Sequence, residues 1–205
     1  MLFNSLSFLI YFPIVCIIYW IIPWRYRNFF LLLASYYFYM SWEPFYAILI
    51  IFTSITTWGC AILTESTNLH KKRYIYICII VNILVLFSFK YYNFTLDSLL
   101  IAINATGYRM HIPHSELLLP VGISFYTFQC IGYIIDVYHK EIKAERNIIT
   151  YALFVSFCPQ LVAGPIERAR NLLPQFERKH SFNSNDFIDG LKMMIWGFFM
   201  KLCIA

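Results

Sequence analysis

The sequence predicts an all-α, polytopic integral membrane protein with about five to seven membrane segments. Three observations support this prediction. Hydrophobic residues make up 60% of the 205 residues, charged residues make up only 13%, and apolar stretches recur at lengths close to a membrane span. A soluble domain usually carries about 25% charged residues. The net charge of +5 does not indicate nucleic-acid binding, because the basic residues lie in short clusters at the ends of apolar runs.

Seven apolar stretches of the chain are candidates for membrane segments. They cover residues 5–22, 28–42, 45–63, 74–92, 121–138, 148–163 and 187 to the end. The first stretch is expected to remain as an anchor and not to be cleaved as a signal peptide. No basic residue precedes it, and no small-residue cleavage site follows it. The whole chain, residues 1–205, is therefore interpreted as a single membrane domain.

The positions of the basic residues predict the orientation of these segments. Arg25 and Arg27 follow the first stretch, the Lys-Lys-Arg run at residues 71–73 follows the third, and residues 140–146 follow the fifth. Loops rich in Lys and Arg usually face the cytoplasm, so we expect the N-terminus to lie outside. The long connection over residues 93–120 is then an extracytoplasmic loop.

The sixth stretch is predicted to be a re-entrant segment that enters the membrane and returns on the same side. It has only about 16 residues, and a full crossing would place the basic residues that follow it outside. Pro159 removes a backbone donor, and Gly164 and Pro165 stop the helix. Interrupted backbone at membrane depth is tolerated beside protein or a water-filled cavity, so these residues and Gln160 are candidates for a cavity wall. A proline-capped helix end at the interface, without a cavity, is the alternative that the sequence leaves open.

Polar side chains in the fifth stretch are the other candidate feature. Tyr126 and Gln129 place hydrogen-bonding groups on a helix that Asp136 closes near its cytoplasmic end. Such groups seldom face lipid, although holding helices together is their commoner role. The six cysteines stand singly without a Cys-x-x-Cys pair, and none of the five histidines lies inside an apolar stretch. No metal or redox site is therefore predicted.

Four motifs, taken together, resemble one known family. They are MLFNSLSFLIYFPIV (residues 1–15), LPVGISFYTFQ with the closing YIIDVY (119–138), FCPQLVAGPIERA (157–169) and GLKMMIWGFFMKLCIA (190–205). Their order and spacing resemble the membrane-bound O-acyltransferases, specifically the alginate O-acetylase-like branch. The resemblance covers the whole chain and implies that it is the N-terminal portion of such a fold.

The resemblance implies part of an enzyme that transfers an acyl group, in this branch acetyl, across the membrane. The donor is a cytoplasmic acyl thioester such as acetyl-CoA, bound as a substrate, and no other cofactor is implied. The acceptor is a hydroxyl of an exported polysaccharide or cell-wall glycan, often reached through an extracytoplasmic acetyltransferase partner. The expected location is the inner membrane of a bacterial cell, in contact with the lipid bilayer.

Residue roles follow from the resemblance only where the motifs match. The candidate lining of an acyl tunnel is Gln160, Gly164, Pro165, Tyr126 and Gln129. The candidate donor-side mouth is Asp136, Glu167, Arg168 and Arg170, whose arginines can attract an anionic donor. Ordinary positive-inside topology is an equally good explanation of those arginines.

The family's catalytic histidine is not present in this chain, so we expect it in the missing C-terminal half of the enzyme and assign no catalytic residue here. Two other classes of protein stay open. A transporter or flippase subunit would also use broken helices and polar groups at membrane depth. A non-catalytic scaffold would present its basic face to anionic lipids or to a partner.

Overall fold

All elements of the described chain are helices. The computed structural model describes residues 5–67, 71–92, 94–95, 122–161, 164 and 167–201. The helices are α1 (Leu6–Ile21), α2 (Trp24–Met40), a short 3-10 turn (Pro44–Tyr46), α3 (Ala47–Ser66), α4 (Lys71–Lys90), α5 (Ile123–Tyr138), α6 (Ile148–Ser156), α7 (Cys158–Leu161), α8 (Ala169–Glu177) and α9 (Ser184–Phe199). The predicted all-α fold class is confirmed within these ranges.

Local sequence signals explain where several helices begin. The Ser5 hydroxyl accepts a hydrogen bond from the Phe8 amide at 3.3 Å and caps α1. The Asn147 side chain accepts from the Ile149 amide at 2.9 Å and caps α6. Such side chains satisfy amides that lack a partner in the first helical turn. Pro23 directly precedes α2, where its fixed φ suits a helix start.

The core of the bundle is centred on α3 and α6. Helix α3 packs against α4, α5 and α6, while α6 also packs against α2 and α8. Seven consecutive residues of α6, from Thr150 to Ser156, are buried, so this short helix has no surface open to solvent or lipid along that run. The buried face of α3 carries small and hydroxylated residues at Thr53, Ser54, Thr57 and Ala61, which allow neighbouring helices to approach closely.

Two described helical stretches are long and apolar enough to cross a membrane. They are Pro44–Ser66, with 23 residues, and Lys71–Lys90, with 20 residues. Helix α1 is apolar as well but shorter. Helix α6 has nine residues and rises only about 13 Å, less than half of the roughly 30 Å hydrocarbon core, so by itself it does not cross. The number of five to seven segments stays a prediction.

Helices α1 and α9 leave broad apolar surfaces uncovered. The exposed apolar side chains of α1 include Leu6, Ile10, Ile14, Ile17 and Ile21. Helix α9 has no buried residue, and its approach to α1 is marked by an edge-on contact between Trp20 and Phe182 with ring centroids 5.3 Å apart. Apolar surface of this extent is stable only against lipid or other protein.

Candidate functional site

The candidate site is built around the break between α6 and α7, where the sequence predicts interrupted backbone. Helix α6 ends at Ser156, and α7 starts after Phe157. Pro159 has no amide proton, so it cannot continue the hydrogen-bond ladder of α6, but it is tolerated near the start of a new helix. The Cys158 amide donates instead to the hydroxyl of Ser35 on α2, at 3.2 Å. The predicted break is therefore present, and α2 satisfies the amide at its centre.

Two glutamines converge on the carbonyl that the break leaves free. In an uninterrupted helix the Phe154 carbonyl would accept from the Cys158 amide. Here it accepts from Nε2 of Gln129 at 2.8 Å and from Nε2 of Gln160 at 3.0 Å. Gln129 belongs to α5 and Gln160 to α7. A single backbone oxygen therefore joins three helices through two side-chain amides.

Gly122 brings the start of α5 against the end of α7. Its backbone lies in the left-handed region with φ +77°, a conformation that L side chains rarely adopt. A Cβ at this position would lie 2.4 Å from the carbonyl oxygen of Leu161. The backbone therefore requires glycine here for two separate reasons, conformation and space.

Several buried polar groups of the described chain have no hydrogen-bond partner. Within the described part of the chain, they are the hydroxyls of Tyr39, Ser54, Tyr126 and Thr127 and the side-chain oxygen of Asn82. The phenols of Tyr39 and Tyr126 lie close enough to interact electrostatically. Each unpaired buried group costs on the order of 1–3 kcal/mol. The interior of the bundle therefore has polar groups that can bind a polar ligand or water.

Sequence reasoning missed the buried polar contact between α3 and α4. Asn82 Nδ2 donates to the Thr57 hydroxyl at 3.1 Å and to the Cys78 carbonyl at 2.9 Å. A signal was available, because Asn82 stands in the middle of an otherwise apolar stretch. A carboxamide at membrane depth usually bonds to a neighbouring helix.

Charged residues gather where α5 ends and α8 begins. Asp136 lies within electrostatic range of Arg168 and Arg170. Arg170 also pairs with Glu141 at 3.8 Å, with both side chains about half exposed. Such exposed pairs contribute little stability, typically less than about 1 kcal/mol. The four-residue mouth predicted from sequence therefore has three members that lie close together.

The fourth predicted mouth residue, Glu167, forms a local hydrogen bond. Its Oε1 accepts a hydrogen bond from Nδ2 of Asn171 at 2.7 Å. Arg168 is the residue directly before α8, with extended backbone. On α8, Leu172 and Leu173 are buried while Arg170 and Asn171 face outward, so this helix is amphipathic and presents the charged side.

The loop between α5 and α6 is fixed to α3 and α5. Trp58 Nε1 donates to the carbonyl of Glu145 at 2.9 Å, and the Glu145 amide donates to the Tyr133 hydroxyl at 2.8 Å. Arg146 forms an ion pair with Glu65. Burial raises the pKa of the Glu145 carboxyl, and the nearby Glu177 adds to this, while the amide of Asn147 opposes it.

The predicted tunnel residues occupy three places around the break. Gln129 and Gln160 lie at the Phe154 carbonyl, Tyr126 is fully buried on α5, and Gly164 follows α7, its amide bonded to the Gln160 carbonyl at 3.1 Å. Pro165 lies outside the described residues, as do most of the predicted outer loop at 93–120 and three of the five histidines. The tunnel itself stays a prediction. No cluster of three or more metal-ligating side chains occurs in the described ranges.

Comparison with known proteins gives a consistent set of relatives. The chain aligns over its whole length with probable alginate O-acetylases, at 38% identity to that of Pseudomonas syringae pv. tomato and 36% to that of Pseudomonas aeruginosa. The chain belongs to the alginate O-acetylase branch of the membrane-bound O-acyltransferases. The peptidoglycan O-acetyltransferase of Helicobacter pylori matches 85% of the chain at 30% identity.

The match covers only part of each relative. The chain spans 40% of the length of the two alginate O-acetylases and 38% of the Helicobacter protein, in keeping with the N-terminal portion that the motifs predict. No family model matches the chain. No solved structure matches it either.

Proposed function

We propose that this chain forms part of a membrane O-acyltransferase that passes an acetyl group from a cytoplasmic donor to hydroxyls of an exported polysaccharide or cell-wall glycan. The observation that carries the proposal is the full-length alignment with alginate O-acetylases, together with the match to a peptidoglycan O-acetyltransferase. These relatives share O-acetylation and differ in the glycan that their names give. The reaction class is therefore better supported than the identity of the acceptor.

The charged residues between α5 and α8 are proposed to receive the donor. Acetyl-CoA and other acyl thioesters of this kind carry phosphates, and arginine binds phosphate through paired N–H donors. Arg168 forms no ion pair among the described residues, and Arg170 has only its long contact with Glu141. Both guanidinium groups are thus available to a phosphate. The position of α8 after a helix break favours a mouth at the cytoplasmic face.

The break between α6 and α7 is proposed to form the wall beside which the acyl group passes. Gln129 and Gln160 hold the backbone in place, and the unpaired hydroxyl of Tyr126 lies on the same helix as Gln129. No cofactor is needed in this scheme, because the donor brings its own activated acyl group. The catalytic base is supplied by a part of the enzyme other than these residues, and an extracytoplasmic acetyltransferase acts as the partner at the acceptor.

We also propose a cellular location and a membrane orientation for the protein. The protein is placed in the inner membrane of a bacterium with its N-terminus outside, because the basic loops at Arg25, residues 71–73 and residues 140–146 would then face the cytoplasm. Cysteine-accessibility labelling of the loop at residues 140–146 in intact cells checks the orientation. Labelling by a membrane-impermeant reagent there would contradict it.

The direct test is deletion of the gene followed by measurement of ester-linked acetyl on envelope and exported glycans. We expect a loss of O-acetyl that is restored by the intact gene. An unchanged acetyl content in all fractions would refute the proposed function. In membrane vesicles supplied with acetyl-CoA, Arg168→Ala should raise the apparent donor KM, while Arg73→Ala, in a different basic cluster, should leave it unchanged. Failure of Arg168→Ala to insert would make that arginine structural.

A further inference from the structure

A cavity of about 380 Å³ lies beside the helix break. It is lined by residues of α1, α2, the break and α8. Its lining includes Tyr11, Trp20, Arg27, Leu31, Ala34 and Arg178. Neither glutamine of the break lines it, and its lining contains no acidic residue. This space is therefore distinct from the proposed acyl path.

The cavity changes in character from one end to the other. Its basic residues, Arg27, Arg178 and His180, belong to the first turn of α2 and to the segment after α8, whereas Tyr11 and Ala34 lie in the middle of α1 and α2. From Tyr11 to Trp20, α1 rises roughly 14 Å. This is about half of the roughly 30 Å hydrocarbon core, which is the depth of one leaflet.

The positive charge of Arg27, at the entrance of this cavity, is held in place by the fold. The Arg27 guanidinium lies over the rings of Tyr19 and Trp20, 4.9 Å from each centroid. Its Nε donates to the Ile22 carbonyl at 3.1 Å and its Nη1 to the His180 carbonyl at 2.9 Å. In the described chain Arg27 has no carboxylate partner, and neither does Arg178. Positive charge is therefore fixed at the entrance of an apolar space without being neutralised.

Two hydrogen bonds also join the helices that form the entrance of this cavity. Trp24 Nε1 donates to the Arg178 carbonyl at 3.2 Å, and Asn28 Nδ2 donates to the Phe176 carbonyl at 3.0 Å. These bonds join the start of α2 to the end of α8, across about 150 residues of sequence. The entrance is thus a built feature and not a gap between unconnected helices.

A second, larger cavity of about 710 Å³ lies on the other side of α1, between α1 and α9. It shares Phe12, Cys16 and Trp20 with the first cavity. Apart from Asp186 its lining is apolar. Both volumes lie in the range of about 300–1,000 Å³ that is usual for ligand pockets. The two apolar spaces therefore lie against the same stretch of α1, from Phe12 to Trp20, and the basic residues line the first of them.

We propose that α1, α2, α8 and α9 form a binding site for one anionic glycerophospholipid. The headgroup phosphate binds Arg27 and Arg178, one acyl chain fills the cavity beside the break, and the other fills the space between α1 and α9. The lipid comes from the leaflet that contains the α1–α2 turn, which the basic residues place on the cytoplasmic side. Charge complementarity at the mouth selects an anionic over a zwitterionic lipid. The site does not depend on the acyl-transfer proposal.

The test uses the full protein expressed from its own locus, purified in detergent and titrated with dioleoyl phosphatidylglycerol or dioleoyl phosphatidylcholine while bound lipid is counted by native mass spectrometry. We expect one phosphatidylglycerol to bind more tightly than phosphatidylcholine. The double variant Arg27→Gln/Arg178→Gln should weaken phosphatidylglycerol binding by roughly 30-fold, at about 1 kcal/mol for each basic residue near an anionic surface. The control Arg25→Gln/Lys179→Gln removes the same charge from neighbouring positions outside the cavity lining and should retain binding.

A second pair of variants tests the acyl space without touching charge. Leu31→Phe fills the cavity, whereas Leu33→Phe places the same ring on an outward position of the same helix. We expect only Leu31→Phe to weaken the binding of both lipids. Equal binding of the two lipids to the wild type would overturn the anionic site. Absence of bound lipid would overturn it as well and would mean that other parts of the protein fill the cavities.

Discussion

Replacement of Gly122 by Ala tests the contact between the start of α5 and the end of α7. Holding a non-glycine residue at φ +77° costs about 1–2 kcal/mol. The new Cβ would meet the Leu161 carbonyl oxygen at 2.4 Å, and a backbone atom yields only if α7 moves. Overpacking of this kind costs about 1–3 kcal/mol. Alanine also lowers the conformational entropy of the unfolded chain, which stabilises the folded protein by up to about 1 kcal/mol. The net expectation is a destabilisation of about 1–5 kcal/mol.

Gly132→Ala provides the matched control, because Gly132 lies in the same helix and a Cβ there meets nothing within 4 Å. Alanine in a helix interior is favoured over glycine by about 0.5–1 kcal/mol. Thermal unfolding of both variants of the full protein in detergent should therefore shift in opposite directions. If Gly122→Ala unfolds at or above the temperature of Gly132→Ala, the close approach of α5 to α7 is refuted.

Four further substitutions test the remaining contacts. Ser35→Ala leaves the amide at the start of α7 buried without a partner, which should destabilise by about 1–3 kcal/mol in the same unfolding assay; an unchanged stability would exclude that hydrogen bond. Gln129→Leu and Gln160→Leu should each lower stability, and the double variant should differ from the sum because both amides share the Phe154 carbonyl; strict additivity would argue against the shared acceptor. Glu145 has a raised pKa in the fold, so its protonated form stabilises the protein most below the ordinary value of 4.5, and this contribution is lost as pH rises through the raised pKa. Glu145→Gln should therefore remove part of the decline in stability between pH 4.5 and the raised pKa, and identical pH profiles would contradict the assignment.

Long apolar runs were the part of the fold that could be predicted from the sequence. The stretch predicted at residues 45–63 lies within the helical run Pro44–Ser66, and the one predicted at 74–92 corresponds to Lys71–Lys90. Both are bounded by polar residues, so composition alone marks their ends. The break near Pro159 could be predicted as well, because a missing backbone donor is a local property of the residue.

The partners of the break could not be predicted in the same way. That Gln129 and Gln160 share one carbonyl depends on how α5 packs against α6, and no local pattern encodes this packing. Helix α8 is not among the seven predicted segments, because a window of membrane length averages over its nine residues. Its signal lies in the spacing of Leu172, Leu173 and Phe176, which places an apolar stripe on one side of a short helix.

The short helix α7 has the mechanical role of a joint between two parts of the bundle. Its first amide is held by Ser35 of α2, and its Gln160 side chain is held at the same carbonyl as Gln129 of α5. Hydrogen bonds therefore connect α2 to α5 through Cys158, Gln160 and the Phe154 carbonyl. Through α7, the outer helix α2 and the polar interior of the bundle share one set of backbone contacts.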